Sequence, residues 1–128
     1  MNRYDEALPN LERELEKNPH HGLANYYLGN ICLSRGETDR AIPYLEAAIR
    51  AQPGLTQAHR DLGRALAGAG NYEGAIAAYQ KVVAKEPGDF SIHALMATAY
   101  RALGKMEEAR RSAEMAQELS AKKRQRLE

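Results

Sequence analysis

The chain has very little cysteine. Its one thiol, Cys32, excludes an internal disulfide framework and any zinc site built on several thiolates. No apolar run approaches the roughly 20 residues that a bilayer span needs, and the opening MNRYDEALPN is polar where a signal peptide would be apolar. Charge of one sign is also missing: 18 Lys and Arg against 17 Asp and Glu leave a formal net charge of +1. Bulk electrostatics therefore points to neither nucleic acid nor an anionic membrane as a partner. Ser, His and carboxylates occur, but none stands in a nucleophile elbow, a phosphate-binding loop or a metalloprotease helix motif. The expectation is a soluble chain, with the cytoplasm favoured, that is not an enzyme and has no catalytic residue, metal or cofactor.

What is present is repetition. GETDRAIPYL from Gly36, GNYEGAIAAY from Gly70 and GKMEEARRSA from Gly104 restate one pattern at intervals of 34 residues. The column Gly36, Gly70 and Gly104, with Asn2 in phase, suits the left-handed turn that ends a helix. The column Pro19, Pro53 and Pro87 bars helix continuation and closes each unit. Between these stops lie two helix-length segments with apolar residues three and four apart, so each unit reads as a helical hairpin. Small residues at Ala7, Ala41, Ala75 and Ala109, and at Gly29, Gly63 and Ala97, would let paired helices approach closely. Leu28, Leu62 and Met96 would fill the remaining space.

With YYLGNICLSRGETDRAI, RDLGRALAGAGNYEGAIAAY and the closing prolines, the chain resembles the tetratricopeptide repeat family. The resemblance implies an all-α fold: a right-handed superhelical α-solenoid of about seven helices, in one domain over 1–128. A lone second helix at about 3–18 would precede full repeats at 22–55 and 56–89, a terminal capping repeat at 90–121 and a basic tail at 122–128. The bulky aromatic usual near the start of the family's first helices is replaced by Asn25, His59 and His93, and Ala121 stands in the proline column.

Two columns expected to pack on a following repeat, Leu8, Ile42, Ile76 and Leu15, Ile49, Val83, turn polar at Arg110 and Gln117. Burying an unpaired arginine is costly, so the last helix is expected to be its own cap. At the other end the first hairpin lacks its first helix. The sequence reads this as a piece of a longer array, with a natural cap, supported by the charge of Glu14, as the alternative. The stripe Tyr4, Leu8, Leu11 and Leu15 and the small Ala7 then make a homo-oligomer through the N-terminal helix possible. Pro9 and Pro43 fall early in second helices, which are expected to start late or bend there.

Several residues have plain structural readings. Cys32 shares a column with Leu66 and Tyr100 and is expected in the core. His20, His21, His59 and His93 lack metal-site spacing. KKRQR reads as a frayed helix end whose charge suits the helix dipole.

By the resemblance, the concave face presents Leu23, Tyr26, Tyr27, Asn30 and Leu33 from one repeat, and Gln57, Arg60, Asp61 and Arg64 from the next. The third adds Ser91, Ala94, Leu95, Thr98 and Arg101. Aromatic anchors at one end and arginines at the other suggest a groove for a peptide or helix of a partner protein, its candidate contacts being Tyr26, Tyr27, Asn30, Arg60, Asp61, Arg64, Thr98 and Arg101. Arg60, Arg64 and Arg101 are expected to gather as three cations with few acids opposite beyond Asp61. The alternative is a structural, self-associating segment of a longer array with no ligand of its own. Family members that hold the terminal carboxylate of chaperone tails use lysine, asparagine and arginine where Tyr26, Asn30, Asp61, Ser91 and Leu95 stand here. Only Asn30 fits, and Asp61 would repel that ligand.

Overall fold

The computed structural model describes residues 3–127. Asn2 of the glycine column lies outside the described residues, as does the side chain of Tyr4. Among the described residues the chain forms seven α-helices: α1 Arg3–Lys17, α2 Gly22–Ser34, α3 Thr38–Ala51, α4 Thr56–Gly68, α5 Tyr72–Lys85, α6 Phe90–Ala102 and α7 Met106–Leu127. Each packs on its neighbours in sequence, and α2 also meets α4. That order makes a quasi-linear stack of hairpins, the form expected when each unit can bury its apolar face only against the next. None of these helices is long and apolar enough to cross a membrane.

The glycine column works as its spacing predicts. Gly36, Gly70 and Gly104 have φ of 77°, 86° and 76°, and each sits at the centre of the same C-terminal hydrogen-bond pattern. Glu37, Asn71 and Lys105 donate their backbone N–H groups back to Cys32, Leu66 and Tyr100 at 2.8, 2.8 and 2.9 Å. The left-handed residue turns the chain so that orphan carbonyls at the helix end find donors. Helix starts are capped by different side chains: His21 Nδ1, Asn71 Oδ1 and Asp89 Oδ1 accept from Ala24, Gly74 and Ser91 N–H.

The small columns are the tightest part of the fold. Ala41, Ala75 and Ala109 are buried. A Cβ on Gly29 would lie 2.7 Å from Leu45 Cγ, and one on Gly63 would overlap the Tyr79 ring. Two clusters result: Cys32, Ala41, Leu45 and Ala65 in one, and Ala75, Ile76, Tyr79, Val82, Ile92, Met96 and Ala99 in the other. Burial pushes the Cys32 thiol pKa up, against the nearby charge of Arg40 and Arg35, which makes it a packing residue in place of a nucleophile.

The polar residues in the aromatic column have a job that their sequence position did not suggest. Asn25 is buried and its Nδ2 donates to the carbonyls of Pro19 (3.1 Å) and His21 (3.0 Å). His59 Nε2 meets the carbonyl of Pro53 at 2.8 Å. In both repeats a side chain reaches back six residues to the closing proline and ties the incoming turn to the first helix.

Two expectations are corrected. α3 begins at Thr38, in phase with Tyr72 and Met106, and runs through Pro43; α1 likewise runs through Pro9. Neither helix starts late, which corrects that half of the expectation and leaves the bend as a proposal: a proline nitrogen removes one donor near the first turn while packing of the apolar face holds the rest. The KKRQR segment is the continuous end of α7 and not a tail beyond the last repeat's helix. With Ala121 in the proline column nothing stops α7, which spans 22 residues where α3 and α5 span 14 each.

Candidate functional site

The hollow between α4 and α6 brings together three of the eight candidate contacts, Arg60, Arg64 and Thr98. Arg60 and Arg64, one turn apart on α4, face Ser91, Ala94, Leu95 and Thr98 on α6, and Phe90 closes one end. The volume is about 540 Å³. Residues four apart on each helix supply the two walls, as helical geometry requires. Phe90 was not foreseen in this role. As the first residue of α6, directly after its Asp89 cap, it falls one position before Ser91, where the groove set on that helix begins.

Arg60 is not a free cation. Its guanidinium pairs with Asp89 and, at 3.3 Å, with Glu86. Both acids belong to the turn between α5 and α6, so the expectation of few acids opposite the arginines is overturned. Burial disfavours the charged form of Asp89, but hydrogen bonds from Ser91 and the Arg60 charge outweigh it and hold its pKa below the ordinary carboxylate value. The Nε of Arg60 is buried without a hydrogen-bond partner. Arg64 is different: its side chain is 56% exposed and its Asp61 contact is only 3.9 Å, too long for a hydrogen bond. Arg101 is exposed and does not line the hollow, so the three expected cations are reduced to Arg64 as the available charge within it.

Asp61 also differs from its expected role. It is 6% exposed, accepts from Asn30 Nδ2 at 2.9 Å and lies beside the Tyr26 hydroxyl. Burial and the Asp61 carboxylate push the Tyr26 pKa up to about 12. The carboxylate is thus turned into the seam between α2 and α4 and joins two repeats. Asn30 and Tyr26 belong to that seam with it. Tyr27 is half exposed and packs its ring 5.4 Å from that of Tyr26, tilted by 60°. Thr98 is exposed on the groove wall, its hydroxyl bonded back to the Ala94 carbonyl at 3.3 Å.

No group of three or more His, Cys, Asp or Glu among the described residues is arranged to hold a metal ion.

Family models described as tetratricopeptide repeat match residues 1–56 and, in two overlapping placements, 33–96 and 66–125. Comparison with curated proteins gives no match. Among solved structures, the chain is similar to MamA with a TM-score of 0.88 and 26% identity, over 95% of this chain and 71% of that one. MamA 41-end from Desulfovibrio magneticus RS-1 is similar at 0.85 and 27%, over 93% and 67% of the two chains. MamA MSR-1 C2 gives 0.86 and 26%, over 94% and 69%. Repeat spacing, left-handed glycine turns and these likenesses agree on a right-handed α-solenoid of helical hairpins, and the chain belongs to the tetratricopeptide repeat family.

Proposed function

We propose that the chain takes a peptide or helix of a partner protein in its concave groove, with the hollow between α4 and α6 as the principal contact. As a member of the tetratricopeptide repeat family it is a protein-interaction module; the groove is our reading of how it acts. The observation that carries it is the hollow itself. Ala94, Leu95 and Phe90 offer apolar surface, and Arg64 stands exposed beside them. An apolar ligand side chain would lose water against α6 while a carboxylate met the Arg64 guanidinium. Tyr27, exposed on the preceding repeat, extends the contact surface.

The test is a peptide-library selection against the wild type, Arg64→Glu and Leu95→Glu. The wild type should enrich peptides that combine Asp or Glu with an apolar residue. Arg64→Glu should lose the acidic preference, and Leu95→Glu the apolar one. A desolvated charge contact is worth about 2–5 kcal/mol when one partner is removed, and a rim contact far less. A wild type that enriches neither residue class would end this reading.

A second reading has one observation behind it. Ala7 is half buried where Ala41, Ala75 and Ala109 are 0%, 0% and 3% exposed, so the outer side of α1 keeps apolar surface in water. Self-association through that helix would cover it. Light scattering over a concentration series checks it: a mass that stays monomeric throughout excludes self-association.

A further inference from the structure

The overshoot of α7 carries an inference that rests on the groove reading and sharpens it. α6 and α7 form a hairpin, and α7 is 22 residues against 13 for α6, so the last turns of α7 run past the first residue of α6. Lys123, on that overshoot, places its ammonium over the ring of Phe90, 5.6 Å from the centroid. Helical side chains lean toward the N-terminus of their helix, which is what lets a lysine beyond the end of α6 reach back to it. Phe90 lines the groove. The basic segment Lys122, Lys123, Arg124 and Arg126, with no acid between residues 119 and 127, therefore borders the groove at its Phe90 end.

We infer that Lys123 and the α7 overshoot form a cationic lip, so that the groove fits an acidic peptide with a defined charge spacing. Arg64 is the exposed cation at the Thr98 end; Lys123 marks the Phe90 end. Between them Arg60 is already matched by Asp89 and Glu86, and the floor there is Ala94 and Leu95. Phe90 to Thr98 spans eight residues of helix, or about 12 Å at the helical rise. An extended peptide advances about 3.3 Å per residue. The ligand that fits carries two acidic residues about four positions apart with an apolar residue midway, complementing the order cation, apolar floor, cation.

The experiment measures fluorescence anisotropy of the full chain with two labelled peptides of equal composition. One has its two glutamates four positions apart around a leucine; the other has them adjacent. Wild type should bind the spaced peptide better. Lys123→Glu should weaken the spaced peptide about fivefold at low salt, less at physiological salt, and barely change the adjacent one. Lys123→Ala should give a smaller loss of the same kind, and circular dichroism should show both variants folded, since Lys123 is exposed. If both Lys123 variants bind the spaced peptide as the wild type does while Arg64→Glu weakens it, the lip is wrong and the groove stands. Wild type that binds neither peptide removes the groove and the lip together. Duplex DNA that binds tighter than the spaced peptide, and is lost in Lys123→Glu, makes the overshoot a nucleic-acid surface and overturns the proposal.

Discussion

Asn30 on α2 donates its side-chain amide to Asp61 on α4 at 2.9 Å, so an acid placed by sequence on the ligand-facing surface is a joint between repeats. Asp61→Ala would leave the Asn30 amide and the Tyr26 hydroxyl without their acceptor in a part-buried seam. Stranding such donors costs about 1–3 kcal/mol. Asp61→Asn keeps one carbonyl acceptor and should lose less. Urea unfolding of the three proteins measures the order, and Asp61→Ala as stable as the wild type would show that the joint contributes nothing. Peptide selectivity should survive in either variant, since Asp61 is not among the side chains that line the hollow.

Gly63 and Gly68 lie in the same helix but face different surroundings. A Cβ at position 63 meets the ring of Tyr79, which is 1% exposed and fixed in the core. At position 68 the nearest atoms are those of Thr38 at 3.7 Å, an ordinary contact. Gly63→Ala should destabilise by about 1–3 kcal/mol through overpacking. Gly68→Ala should be neutral or stabilise by up to about 1 kcal/mol, because alanine has less backbone freedom to lose. Thermal unfolding compares them, and equal shifts at both sites would contradict the close approach of α4 and α5.

The repeat was legible because its signals are local and recur. A glycine with positive φ, a proline beyond a helix end and an alanine at a crossing each depend on a few neighbouring residues, and a 34-residue period shows them three times over. The groove was only partly legible. Which residues share a helix face follows from spacing, which sets Arg60 and Arg64 on one wall of the hollow and Ser91, Leu95 and Thr98 on the other. What a side chain on that wall does depends on residues far away in sequence. Asp89 neutralises Arg60 from 29 positions further on, and Asn30 draws Asp61 inward from 31 positions before it. Neither pairing leaves a periodic trace. The Phe90 to Lys123 contact was hidden for a related reason: it needs the length of α7, which the missing proline at Ala121 permits but does not state.

Pro43 is the sixth residue of α3 and is exposed, so its ring fills no core space while its nitrogen cannot donate to the carbonyl of Asp39. Pro43→Ala restores that bond and relieves the ring from the preceding turn. The gain is offset by the greater freedom that alanine gives the unfolded chain, about 0.4–1 kcal/mol. A proline in a helix interior costs about 3 kcal/mol, less near the first turn, so the variant should be more stable by about 1–2 kcal/mol. Denaturant unfolding reads this directly; a less stable variant would mean that the proline is matched to a local bend.

Asp89 combines three interactions: it caps α6 through the Ser91 N–H at 3.0 Å, accepts from Ser91 Oγ at 2.6 Å and pairs with Arg60 across the groove wall. All three favour the carboxylate, and its pKa in the folded chain is held below the ordinary value. A depressed acid stabilises the fold above its unfolded pKa, about 3.9 for aspartate, and that contribution disappears as pH falls through the folded value. Asp89→Ala should therefore cost about 1–2 kcal/mol at neutral pH, mostly from the lost cap, with a smaller share from the partly exposed ion pair. Lowering the pH from 7 to 5 should leave this difference intact, since Asp89 is ionised throughout that range. Below about pH 4 the charge-dependent part of the wild type's advantage should fade and the two unfolding curves should draw closer, while the neutral carboxyl still accepts from the Ser91 N–H. Stability measured by urea titration at pH 7, 5 and 3 tests this, and a difference between wild type and variant that stays constant down to pH 3 would show that the Asp89 charge has no part in holding α6 against α4.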